Sequence, residues 1–235
     1  VRRLLAWPAS GALPRPCGAW HVAGVLADAL LAKQTAAALA RVYGPKAHGA
    51  WAVQRCASAL PLDACALFSS VTALLGGTGQ ANYAAANSCL DALAGARRSA
   101  ALAGVSVQWG PWAEVGMAAG GAVNARLQAQ GWGLVGVAEG LAALGLAVGA
   151  GAPPVVAMMP ISWGRMLGGG AVPPFLSAFG GHRPAGAAVR RLLAWPASGA
   201  LPRPCGAWHV AGVLADALLA KRTAAPPARV RRPAA

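Results

Sequence analysis

Acidic side chains are scarce: 6 Asp plus Glu stand against 20 Lys plus Arg, for a formal net charge of +14. Such an excess marks nucleic-acid binding when it forms a patch on a known binding fold or is interleaved with aromatics. Neither pattern is present. Residues 24–187 carry 9 basic and 5 acidic side chains, and most of the excess lies in residues 1–23 and 188–235, so the charge reads as basic ends and gives no specific nucleic-acid partner. The five cysteines, at 17, 56, 65, 89 and 205, form no CxxC and have no histidine at ligand spacing, which excludes a metal site of that kind. Their odd number argues against a secreted disulfide frame. No secretory signal is visible, and a chain starting VRRLLAW reads as a piece of a longer protein, expected in the cytoplasm. Gly140–Met159 runs 20 residues without a charge, but six of them are Gly or Pro, so no membrane helix is expected. A cofactor-type glycine turn between strand and helix is lacking too. Gly131, Gly133 and Gly136 spell GxGxxG, yet NARLQAQ before them is no strand, Trp132 is bulky in the turn, and no acid follows about twenty residues on.

What the sequence does have is core. At 235 residues and 57% hydrophobic content it is enough for one ordinary α/β domain. Leu62–Phe68 is a short apolar run suited to a buried parallel strand. Gly76, Gly77 and Gly79 break it, and Tyr83–Ala94 is alanine-rich and helical. Ser70 then sits at a strand's C-terminal end, the edge where open α/β sheets bind ligands. Tyr83 and Asn87, four apart, share a helix face. Taken singly, these residues and Lys46 fit ordinary packing, a turn cap or a solvated charge; their joint spacing carries the reading.

FSS, GQANYAAAN and VQWGPWAEVGMA, together with HVAGVLADALL at 21–31 and GPKAHGAW at 44–51, resemble the catalytic half of a modular polyketide synthase ketoreductase, a relative of the short-chain dehydrogenases. The resemblance runs from about Val1 to ISWGRML at 161–167. It implies a Rossmann-type parallel sheet with flanking helices, the N-terminal cofactor-binding βα units not included in these residues. It implies NADPH as cofactor and a β-ketoacyl thioester on an acyl carrier protein as substrate, with other polyketide synthase domains as partners. The catalytic set would be Lys46, Ser70, Tyr83 and Asn87, with Tyr83 as proton donor, Ser70 on the carbonyl, and the Lys46 ammonium lowering the tyrosine's pKa. Ala23 and Gly24, Gly110 and Pro111 would face the nicotinamide end of the cofactor. Leu75, Asp28 and Met117 would lie on the substrate side, Met117 in a lid. In one stereochemical group of these reductases a tryptophan precedes the tyrosine by eight residues, where this chain has Leu75. The other group carries LDD after the HxAG turn, and Leu26-Ala27-Asp28 keeps its outer two residues, which leans toward a D-configured 3-hydroxy product. A different class of reading is a noncatalytic remnant serving as a structural or interaction piece.

Along the chain, Val1–Trp7 reads as the tail of a helix, Ala19–Val22 as a strand, Thr35–Ala52 as the helix bearing Lys46, Val105–Trp109 as a strand, Ala138–Val148 as a helix and Pro154–Met159 as the last strand. This gives a catalytic half-domain over 1–167 and a Gly/Pro-rich linker over 168–188. Residues 189–225 duplicate 1–37, and 226–235 form a basic, disordered tail. The duplication is the plainest feature of all: Val1–Lys33 recurs unchanged as Val189–Lys221. Two copies so far apart do not make a solenoid.

Overall fold

The computed structural model describes residues 16–114, 121–149, 151–168 and 171–180. Met117, the Val1–Trp7 helix, the second copy of the repeat, the tail and much of 168–188 lie outside these residues.

Four strands pair in parallel in the order of the chain: β1 (Gly18–His21), β2 (Ala64–Ser70), β3 (Val105–Trp109) and β4 (Val155–Met158). Ser70 pairs with Trp109, and Trp109 with Met158, so the C-terminal ends of β2, β3 and β4 share one edge. A parallel pair needs a crossover, usually helical, and each interval supplies one. Between β1 and β2 run α1 (Ala36–Tyr43), a π-helical turn (Gly44–His48) and α2 (Gly49–Ala57), without a break. The Thr35 side chain caps α1 by accepting from the Ala38 N–H at 3.1 Å. After β2 come the short α3 (Thr72–Leu75) and the long α4 (Ala81–Ser99). After β3 come α5 (Gly121–Ala129) and α6 (Val137–Ala147), and after β4 comes α7 (Trp163–Leu167).

Strand alternation divides the core. Cys65 and Leu67 of β2 pack against Ala50 of α2 and Leu90, Leu93 and Ala94 of α4. Ala66, Val105, Val107 and Trp109 face the other way and join Ala143, Ala147, Val156 and Met158. The α/β Rossmann-type reading therefore holds, with strand limits differing from the sequence reading by a residue or two. Within the expected linker, Pro174–Phe179 forms a 3-10 helix with Leu176 buried, and Phe179 stacks on Trp163 at 4.1 Å between ring centroids. Those residues dock on α7. No helix among the described residues is long and apolar enough to cross a membrane.

Candidate active site

Lys46 is carried by the π turn, where one residue more per turn widens the helix. Although Lys46 is only 3% exposed, its Nζ donates to the Phe68 carbonyl at 2.9 Å and lies 5.3 Å from the centroid of the Tyr83 ring. Burial lowers its pKa to about 8, with the Asp91 carboxylate pulling the other way. Two neighbours from the end of β1 hold it. His21 Nε2 is hydrogen-bonded to the Lys46 carbonyl at 2.9 Å. A Cβ on Gly24 would stand 2.9 Å from Lys46 Cε, so the missing side chain makes room for the lysine. The ribose contact expected of Gly24 thus has a competing structural reason, and Ala23 beside it is exposed.

Tyr83 and Asn87 lie on α4 as the four-residue spacing requires. Asn82 starts that turn: its Oδ1 accepts from the Tyr83 N–H at 2.7 Å, and its Nδ2 donates to Ala27 O at 2.8 Å. Asn87 is fully buried and donates through Nδ2 to the Tyr83 carbonyl at 2.8 Å, while its Oδ1 has no partner among the described residues. Ser69 Oγ donates to Asn87 O at 3.3 Å, and Ser70 Oγ accepts from the Thr72 N–H at 3.3 Å. Burial pushes the Tyr83 phenol up, opposed by hydrogen bonding to Asn87 and Ser70 and reinforced by the negative charge of Asp28. On balance the phenol is raised, where a lowered pKa was expected, and the Asn87 and Ser70 hydrogen bonds oppose the rise. The ammonium spends a bond on Phe68 O and sits against the ring.

The structure thus brings Lys46, Ser70, Tyr83 and Asn87 together at the C-terminal edge of β1 and β2. Gly110 and Pro111 follow β3 at the same edge, with Gly110 N donating to Met158 O at 2.9 Å and Pro111 O accepting from Val135 N at 2.8 Å. A Cβ on Gly110 would lie 3.0 Å from Met159 Cγ. Asp28 accepts from Gln80 Nε2 at 3.1 Å, and Ala29 N donates to Gly79 O at 2.9 Å, which ties the loop after β1 to the loop before α4. Leu75 ends α3, half-buried. Met117 is outside the described residues. The GxGxxG glycines follow α5 rather than a strand; a Cβ on Gly133 would lie 2.6 Å from Pro160 Cβ. Gly131 and Gly133, with Trp132, Pro160, Ser162 and Arg165, line an open cavity of about 510 Å³.

Two residues escaped the sequence reading as site components. His21 read only as a strand residue. Asp91 accepts from Ser106 Oγ at 2.6 Å and Gln108 Nε2 at 2.8 Å. It falls four residues beyond Asn87, on the face that Tyr83 and Asn87 already mark, so the signal was there. Among the described residues no group of three His, Cys, Asp or Glu could hold a metal ion.

The family profile described as "KR domain" matches residues 8–114. Polyketide synthase GfsB of Streptomyces halstedii is 44% identical over 145 residues, 62% of this chain and 3% of that protein. Phthioceranic/hydroxyphthioceranic acid synthase of Mycobacterium tuberculosis is 44% identical over 116 residues, 49% of this chain and 5% of that protein. Among solved structures, the first ketoreductase of the tylosin polyketide synthase matches with TM-score 0.62 and 35% identity, covering 71% of this chain and 36% of that one. A-type ketoreductases from a modular polyketide synthase match with TM-score 0.65 and 35% identity, covering 79% and 38%. The chain therefore spans a few per cent of the synthases and under two-fifths of these ketoreductase structures. Residues 8–114, and with them the four gathered side chains, are a segment of the KR family of modular polyketide synthase ketoreductases, in the short-chain dehydrogenase superfamily.

Proposed function

We propose that this segment supplies the proton-donating half of a reductase that converts a β-ketoacyl thioester on an acyl carrier protein to its 3-hydroxyacyl form with NADPH, alongside other polyketide synthase domains. The observation that carries this reading is the convergence of Lys46, Ser70 and Tyr83 at the strand edge, with a fully buried Asn87 behind them. The nicotinamide end of NADPH fits beside this edge: Gly24 and Gly110 present no side chain, and Lys46 Nζ keeps donors beyond its bond to Phe68 O. No counterpart for the pyrophosphate, a glycine turn between strand and helix, is found in these residues. The edge strand β1 has one ladder neighbour among the described strands, and its Trp20 is 51% exposed, as a sheet extended by further βα units would leave it. The division at residues 167, 188 and 225 belongs to this proposal.

When bound, NADPH would supply the hydride for the carbonyl carbon. The protein's share is at the oxygen. Ser70 Oγ donates a hydrogen bond to the carbonyl, and the Tyr83 hydroxyl gives its proton as the alkoxide forms. Burial makes the phenolate left behind costly. The Lys46 cation over the ring and the Asn87 and Ser70 hydrogen bonds offset that cost. Asn87 also braces the Tyr83 carbonyl, fixing the turn that aims the phenol.

The test joins this segment to the amino-terminal half of a polyketide synthase ketoreductase and follows NADPH oxidation with a simple β-ketoacyl thioester. Turnover is expected, with D-configured product by chiral chromatography because Leu75 and Asp28 stand at the two diagnostic positions. Tyr83→Phe is expected to abolish turnover and leave NADPH binding intact; retained turnover would sink the role of Tyr83. The second reading is a noncatalytic remnant that serves as a structural or interaction piece. Calorimetry with NADPH on the 235-residue chain and on the joined protein separates the two. Weak or no NADPH binding is expected of it alone, and if the joined protein also fails to bind, the remnant reading takes over.

A further inference from the structure

Residues 17–33 are seated on the rest of the protein through contacts whose every donor, acceptor and glycine recurs in residues 205–221. The Cys17 carbonyl accepts from Asp63 N at 2.7 Å, and Gly18–His21 pair with Ala64–Leu67. His21 reaches Lys46 O, Gly24 leaves room for Lys46, and Ala27 O and Asp28 accept from Asn82 and Gln80. The second copy places Cys205, Gly206, His209, Gly212, Ala215 and Asp216 at the same intervals. Contacts are set by residue type and spacing, so a strand drawn from 206–209 would meet β2 with the same energy as β1 does. Reach is ample. From Gly180, the last described residue, to Cys205 is 25 residues, up to about 80 Å of extended chain, whereas a four-strand sheet is roughly 15 Å wide.

We propose that residues 205–221 of the same chain are an alternative occupant of the β1 slot, exchanging with residues 17–33 beside β2. The first copy holds the slot in the ground state for two reasons. It leads directly into α1, and loop closure favours the shorter connection, though only weakly. It is also followed by Gln34, whose Nε2 donates to Ala29 O at 2.9 Å, where the second copy has Arg222. With the second copy in place, His209 would take over the hold on the Lys46 carbonyl, so the lysine keeps its setting in both arrangements. The protein carries a spare for the strand that frames its site.

Redundancy is the measurable consequence. Proline at His21 removes a buried imidazole and distorts the strand, and the same change at His209 does so in the spare. His21→Pro and His209→Pro, each alone in the full chain, are expected to shift the thermal midpoint by no more than a few degrees. The double variant, and His21→Pro with residues 189–235 deleted, should lose on the order of 10 °C or fail to fold. If His21→Pro alone is as damaged as the double variant, including failure to fold, the spare does not enter the slot and the proposal falls. Rescue that appears only with rising concentration, as a dimer by size-exclusion chromatography, would place another chain's segment there and overturn exchange within one chain.

Discussion

On the α6 face of the sheet, β3 and β4 present Val105, Val107, Val156 and Met158 to Ala143 and Ala147. On the α4 face the same β3 presents Ser106 and Gln108 to Asp91, and Lys46, Asn87 and Arg97 are buried as well. The first face follows the rule of an aliphatic core, in which area removed from water supplies stability. The second buries cations and amides that each need a named partner. Arg97, for example, is held by Gln54 Oε1 and by the Ala103 carbonyl. One strand thus serves both faces by alternation, and the polar face carries the site because proton transfer requires groups that an apolar core would exclude.

The comparison breaks most visibly if charge is moved to the wrong face. Val107→Asp puts a carboxylate at a fully buried position inside the apolar cluster of β3, β4 and α6, and a loss of more than about 4 kcal/mol is expected, read as loss of cooperative unfolding. A stable, folded variant would show that the α6 face is not the aliphatic core described.

On the α4 face the expected sign is reversed. Holding Lys46 at a pKa of about 8 rather than near 10.4 costs on the order of 3 kcal/mol below pH 8. Lys46→Met forfeits the Phe68 hydrogen bond yet should raise stability by about 1–2 kcal/mol at pH 7. The pH dependence follows the same sign. Between about 8 and 10 the unfolded chain holds the lysine proton and the folded protein does not, so this residue makes stability rise with pH. Cys65 and Tyr83, both raised by burial, act oppositely above about 8.5 and 10. The difference between wild type and Lys46→Met in urea melts across pH isolates the lysine, and a flat difference would contradict its lowered pKa.

The smallest effect sharpens the comparison at β3. Asp91→Asn keeps the size but gives up the charge, and roughly 1 kcal/mol should be lost. Because the carboxylate supports the ammonium, Lys46 should also titrate lower, detectable as a shifted pH dependence of its acetylation rate. An unshifted profile would confine Asp91 to a structural part.

Much of this architecture was legible in the residues. Val105–Trp109 is a β-branched run that pairs on both sides, and its limits agree with the sequence reading. The four-residue spacing of Tyr83 and Asn87 placed both on one helix face. β2 was harder: its strand extends to Ser70 and begins at Ala64, because ladder bonds to β3 recruit two serines that no hydropathy pattern marks. The linker reading missed Phe179 because docking on Trp163 is a tertiary event among residues that locally favour turns. The direction of the tyrosine's shift was illegible for a related reason. Spacing shows that a lysine comes near, but burial and the acceptor it chooses exist only in the fold.

The π turn at Gly44–His48 has a consequence for length variation. Each residue advances an α-helix by about 100°, and the wide turn absorbs an offset between α1, which presents Val42 to the Tyr83 cluster, and α2, which presents Ala50 to the sheet. An inserted or deleted residue anywhere between Ala36 and Ala57 would turn one end of this rod against the other. The segment therefore behaves as a gauge block of fixed count, in which the number of residues matters as much as their identity.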